Sequence, residues 1–402
     1  MLIIAIYYKH FLSAISNYIN TLVANTFSYW ERTAFIDDAD VIIIGSGIVG
    51  LSAALHLKET RPLLKVLVLE RGFLPTGAST KNAGFACFGT VSEQIEALKR
   101  SSADEVLHLA DYKWRGLQRL RKNLGDANID YQQNGGYELF MADEVVNADT
   151  CIGRLDELNA LLKPVTGGVA IYSVANDKIV PFGFKKVIGM IYNPFEGQID
   201  TGKMMRTLLN KAYALGILVL NGCAVEQIRQ DTIGINLRTS QGSFKTKKVI
   251  LATNAFAGQL YPDLQIIPGR GQVLVTKPIP GLNLKGTFHF DGGYYYFRNI
   301  NDRVLFGGGR NLDFISEQTW NFGQTDLVKQ KLSTYLNEVI LPGKNVEIDY
   351  WWSGIMGFGE TISPNIKMVE PNVYCAVGCN GMGVAMGSLV GEEVAHLAVG
   401  GN

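Results

Sequence analysis

Residues 41–70 run VIIIGSGIVGLSAALHLKETRPLLKVLVLE. The β-branched start, Val41 to Ile44, predicts a strand. Gly45-Ser46-Gly47-Ile48-Val49-Gly50 then turns the chain into an apolar helix pattern through Leu57. A second apolar run over 65–69 closes on Glu70. Strand, glycine turn, helix, strand and acid, in that order, make a dinucleotide-binding unit. Gly45 permits the tight turn, Gly47 lets the backbone approach a pyrophosphate, and Gly50 lets helix and strand pack closely. The helix start at Ile48 and Val49 offers unpaired N–H groups to phosphate. Glu70, twenty residues beyond Gly50, is placed to accept from the ribose hydroxyls of an adenosine.

The rest of the chain sets bounds. Its 402 residues are 47% hydrophobic and 18% charged, enough for two or three domains or one two-lobed enzyme. Lys+Arg and Asp+Glu are 37 each, so no charge excess argues for a nucleic-acid partner. Cys87, Cys151, Cys223, Cys375 and Cys379 are too few and too scattered for a disulfide framework. They read as buried thiols, consistent with a reducing, cytoplasmic location. Cys375 and Cys379 have no second Cys/His pair, and the five histidines include no pair at ligand spacing along the chain, so no metal is expected. Ile4, Tyr8, Phe11, Ile15, Tyr18 and Leu22 recur at helical spacing. This weakly charged amphipathic segment docks on the protein, anchors to a membrane surface or partner, or has no function. With only Lys9 and Arg32 basic before the glycine turn, the membrane reading is the least favoured.

Residues 71–89, rich in Gly, Ser, Thr and Asn, read as a functional loop rather than a linker. Helix is expected over 92–124 and near 147–162, and strands over 137–141, 168–173 and 179–184. Asp200 caps a helix over 202–215. Short strands follow over 217–220, 223–229, 234–239 and 242–247, then an apolar one over 249–254. Aromatic antiparallel strands fill 271–309, with a helix over 325–339, a strand over 372–377 and a closing helix through Leu397. The expected fold class is α/β: a Rossmann-like dinucleotide-binding domain with an interleaved antiparallel-sheet substrate domain. The boundaries are 1–35 for an N-terminal extension, 36–95, 196–267 and 346–402 for the nucleotide domain, and 96–195 and 268–345 for the substrate domain.

GSGIVG with Glu70-Arg71, the loop GASTKNAG, the 249–254 strand and the C-terminal GCNGMGV together resemble the FAD-dependent D-amino-acid oxidase superfamily. That group includes glycine and sarcosine oxidases and D-amino-acid dehydrogenases. The resemblance covers about 36–400, in the family's order. It implies FAD, with Gly45 and Gly47 against the pyrophosphate, Glu70 on the ribose and Arg71 beside the adenine. Ser79, Thr80, Asn82 and Gly84 stand in the loop that runs along the phosphates and under the flavin. Val225 matches the position whose main chain meets adenine, and Ala252-Thr253 the strand end near the pyrophosphate. Gly381, Met382 and Gly383 match a helix start facing flavin N1 and O2, where it would stabilise the negative charge of the reduced ring.

The departures concern substrate. Family members that oxidise amino acids usually carry an arginine shortly after a Trp/Tyr-x-Gly, but Trp352-Ser353-Gly354-Ile355-Met356-Gly357 has none. No cysteine stands near Met356, so non-covalent FAD is expected. Strand alternation puts Tyr294, Tyr296 and Arg298 on one face, making Arg298 a candidate carboxylate anchor framed by phenols. Arg310 and Arg270 are further candidate cations, the latter near a position where the family often brings a basic residue to the flavin. His289 is a candidate cavity residue. The expected function is oxidation of the C–N bond of an amine or amino acid by hydride transfer to flavin N5, with oxygen or a respiratory carrier as electron acceptor. An FAD-dependent 2-hydroxy-acid or polyol dehydrogenase using His289 as base, and a flavin-binding protein with little turnover, are the alternatives.

Overall fold

The computed structural model describes residues 27–232 and 234–400; the amphipathic segment read at 4–22 lies outside them. Two eight-stranded sheets dominate. At the centre of the first lies Ala39–Ile44, buried on both faces and paired in parallel with Val66–Leu69 and Gly242–Leu251. Ile42 lies opposite both Leu67 and Val249, which is why these strands read as continuous apolar runs. Leu218–Leu220 and Val373–Val377 extend the parallel set on either side, and Asn365–Glu370 closes one edge antiparallel. The helices Ile48–Thr60 and Gly383–Gly400 pack against each other and bury Leu51, Ala54, Val390 and Val394 completely or nearly so.

The second sheet runs from Ile348–Phe358 through Ile267–Thr276, Arg303–Gly308, Tyr295–Ile300, Thr287–Phe290, Gly136–Met141 and Val187–Asn193 to Ser173–Val174. It is antiparallel except where Thr287–Phe290 meets Gly136–Met141 in parallel. One face carries an aromatic core in which Phe288 stacks on Phe297 and Phe290 on Tyr295, at 4.7 and 4.9 Å.

Several expectations need correction. Residues 348–358, assigned to the nucleotide domain, pair along the whole of Ile267–Thr276 in the second sheet. The stretch expected as a strand over 179–184 is a single helical turn, Ile179–Phe182, stopped by Gly183 at φ 81°. Of the strand expected over 168–173, only Ser173 pairs. The true neighbouring strand, Val187–Asn193, went unread. The helix expected over 92–124 is two, Val91–Leu98 and Ala103–Leu124, because Ser102 and Glu105 form a capping box that starts a new helix. Residues 242–251 form one strand that ends at Leu251, before a turn at Asn254 with φ 46°.

Candidate active site

A cavity of about 680 Å³ lies between the two sheets, within the range of small-molecule and cofactor sites. At one end it is lined by the glycine turn, the ends of the parallel strands and the start of the C-terminal helix. Gly45 has φ 103°, and a Cβ there would sit 2.8 Å from the Ala252 carbonyl oxygen. Only glycine permits that approach. Gly50 does not reach the cavity; its Cα packs on the Gly45 carbonyl and the Ile43 side chain. The Ile48 N–H donates to Ser79 Oγ at 3.0 Å, whereas those of Gly47 and Val49 have no acceptor among the described residues. Free amides at a helix start are what a pyrophosphate requires.

Glu70 lines the same end and is buried. Its Oε2 accepts from Ser46 N–H and Oγ at 3.2 and 2.8 Å, and its Oε1 from Gly72 N–H at 2.9 Å and Thr76 Oγ1 at 3.3 Å. The carboxylate therefore holds the turn as well as lining the cavity. Arg71 stacks over Phe256 at 3.6 Å, and burial lowers its pKa. Val225, Ala252 and Thr253 border the cavity, and Thr253 Oγ1 is a buried hydroxyl without a partner among the described residues. Asn254 Oδ1 accepts from Gly378 N–H at 2.9 Å, so one side chain joins the strand end to the C-terminal glycine turn. Gly381, Met382 and Gly383 line the wall beyond, and the Gly383 and Val384 N–H groups have no acceptor among the described residues.

In the 77–84 loop, Ser79 and Asn82 face the cavity. Thr80 does not: its hydroxyl donates to the Pro75 carbonyl at 2.6 Å. Gly84 packs on the Ile199 carbonyl and the Arg298 guanidinium instead. Lys81 reaches the cavity from this loop, its Nζ 5.2 Å from the centre of the Phe322 ring. Its significance was not read, although it is the only cation in GASTKNAG.

The other end is framed by Phe85, Glu93, His289, Tyr294, Tyr296, Arg310, Met356 and Phe358. Alternation correctly put Tyr294 and Tyr296 on the cavity side, but Arg298 must be corrected as a carboxylate anchor. Its guanidinium donates to three backbone carbonyls, those of Ala83, Ile199 and Asn299. Burial lowers its pKa to about 10. It fastens the 77–84 loop to the second sheet. Arg270 is also corrected: it forms a buried ion pair with Glu317, Nε to Oε2 at 2.7 Å, outside the cavity wall. Of the three candidate arginines, Arg310 is the one that lines the cavity. Tyr294, Phe314 and Phe358 lie 5.1, 5.3 and 4.3 Å from it, and no hydrogen-bond or ion-pair partner stands among the described residues. Burial lowers its pKa. His289 is buried, its Nδ1 unpartnered among the described residues, and burial lowers its pKa, leaving a neutral ring. Tyr296 is pushed up to about 12 by burial and stays a phenol. Glu93, missed because its Thr90 capping box reads as a plain helix start, turns one face to the cavity.

Comparison with known proteins gives the family. The family model described as FAD dependent oxidoreductase matches residues 40–397. A probable oxidoreductase, OrdL, of Haemophilus influenzae is 24% identical, over 91% of this chain and 84% of that protein. Gamma-glutamylputrescine oxidoreductase of Escherichia coli is 27% identical, over 94% and 87%. Among solved structures, L-proline dehydrogenase of P. horikoshii superposes with a TM-score of 0.73 at 22% identity, over 92% of this chain and 95% of that one. The chain belongs to the FAD-dependent oxidoreductase family of D-amino-acid oxidase type. It is an FAD-dependent oxidoreductase. Among the described residues no helix is long and apolar enough to cross a membrane.

Two results are expected of the cofactor. Denaturation should release all flavin as FAD, because burial pushes the Cys379 thiol, beside the cavity, up to about 12 and no thiolate is at hand. Flavin retained on precipitated protein would contradict this. Glu70→Ala should weaken FAD binding by about 1–3 kcal/mol, measured as the FAD dissociation constant. An unchanged constant would remove Glu70 from the site.

Proposed function

We propose that the enzyme oxidises the C–N bond of an amine that carries a carboxylate, an amino acid in the simplest case. One observation carries this reading: Arg310 enters the cavity between aromatic rings and makes no ion pair among the described residues. A half-buried guanidinium without a carboxylate is costly, and a substrate carboxylate supplies the missing charge in a bidentate geometry. The names of the two relatives whose substrate is stated, gamma-glutamylputrescine and L-proline, support a C–N bond as the point of attack.

FAD, which the glycine turn, Glu70 and the helix start at Gly381–Gly383 would hold, would supply the hydride acceptor, its N5. The chain supplies the rest. Arg310 fixes the carboxylate, and Tyr294, Tyr296 and Phe358 give the substrate an apolar flank. Desolvation there favours the neutral amine over the ammonium, which is the form able to lose hydride. The imine product leaves and hydrolyses in water. Oxygen or a respiratory carrier would serve as final acceptor.

A second reading has its own observation. His289 lines the cavity as an imidazole whose pKa burial lowers, the neutral form that a 2-hydroxy-acid dehydrogenase needs to take a hydroxyl proton. Anaerobic incubation with amino acids, their decarboxylated amines and their 2-hydroxy analogues, followed by bleaching of the flavin band, separates the two. Bleaching by amino acids is expected. Bleaching by hydroxy acids alone would transfer the assignment to the second reading, and bleaching by none would leave a flavin-binding protein.

A further inference from the structure

On the far side of the nucleotide-binding helices, away from the cavity, the fold brings together three side chains that the flavin chemistry does not use. His56 lies on Ile48–Thr60; Glu392 and His396 lie one turn apart on Gly383–Gly400. His56 is only 7% exposed, and both its ring nitrogens are buried without a partner among the described residues. A neutral imidazole has one nitrogen to donate and one to accept, so this burial leaves both needs unmet among the described residues. The His396 ring stands 4.2 Å away, centre to centre. One donor atom from each of the three residues lies within 4.8 Å of the others.

We infer that His56, Glu392 and His396 form a binding site for one divalent transition-metal ion of the zinc class. Two imidazoles and a carboxylate are the donor set that Zn²⁺, Ni²⁺ and Cu²⁺ prefer over Mg²⁺ and Ca²⁺. Metal–ligand distances of about 2.0–2.2 Å bring donors closer together than they stand here. The adjustment falls to His396, whose side chain is 61% exposed and free to turn, while buried His56 stays in place. Arg119 takes Glu392 Oε2 at 3.0 Å, which leaves Oε1, 3.9 Å from His396 Nε2, as the ligand atom. Solvent reaches the site past His396 and supplies a fourth ligand. The ion would clamp the helix that begins at the pyrophosphate turn to the helix that begins at Gly383.

The test uses untagged, FAD-loaded protein stripped with a chelator and titrated with ZnCl₂ by calorimetry. Binding of one Zn²⁺ per chain is expected, with a rise in melting temperature and no response to MgCl₂. His396→Ala and Glu392→Gln, both at accessible positions, should each weaken Zn²⁺ binding by at least about tenfold with FAD content unchanged. His56→Phe, which keeps the ring volume, should abolish it, and Arg119→Gln should preserve it. Absence of Zn²⁺ binding at millimolar concentration, or equal affinity in wild type and His396→Ala, would overturn the site.

Discussion

Glu317→Ala is expected to lower the unfolding free energy by about 3–5 kcal/mol, the usual consequence of removing one partner from a buried ion pair. Glu317 is 3% exposed and accepts from Arg270 Nε and Nη2 at 2.7 and 3.0 Å, from Gln272 Nε2 at 2.8 Å and from Thr325 Oγ1 at 3.1 Å. Its loss strands the Arg270 guanidinium, 8% exposed, with only the Ser316 carbonyl as acceptor at 3.3 Å. Arg270→Met should cost less, because Glu317 keeps Gln272 and Thr325. The pair also pins the 310–325 segment, which begins at Arg310 and places Phe322 over Lys81. Substrate affinity should therefore fall alongside stability. Urea denaturation with an unchanged slope measures the first effect. A loss below about 1 kcal/mol would show that the pair is replaceable rather than a fastening.

What the sequence disclosed follows from the range of the forces concerned. The 41–70 unit was legible because its strand, turn, helix and acid interact within thirty residues, and each leaves a local pattern. Residues 179–184 misled because an apolar run cannot by itself distinguish strand from helical turn. Pro181 and the left-handed Gly183 decided the matter. Val187–Asn193 escaped because Gly189 breaks the alternation where its neighbour Phe140 needs room. Arg298 failed for a different reason. Period-two alternation gives the face of a strand, not how far along it the cavity extends. Two residues beyond Tyr296, the Ala83 carbonyl already covers that face. Arg270–Glu317 and His56–His396 are tertiary meetings of residues far apart in the chain, and no local periodicity records them.

Arg310→Met should lower the apparent affinity for a carboxylate-bearing substrate by roughly ten- to a hundredfold, since a desolvated charge-assisted contact contributes about 1.5–3 kcal/mol. Methionine keeps most of the apolar stem against Tyr294, Phe314 and Phe358, so packing loss is held small. The discriminating measurement compares an amino acid with its decarboxylated amine in anaerobic flavin reduction. In wild type the amino acid should bind more tightly. In the variant the two should converge, because only the first has a group for the guanidinium to hold. FAD content should not change, because the glycine turn and Glu70, the proposed nucleotide contacts, line the opposite end of the cavity. Arg298→Met supplies the control: it should loosen the 77–84 loop, reducing stability and FAD retention without this selective effect on the carboxylate. If wild type reduces flavin equally fast with both compounds, no carboxylate is being read. Arg310 is then a cation held by three aromatic rings for packing, and simple amines become the substrate class to pursue.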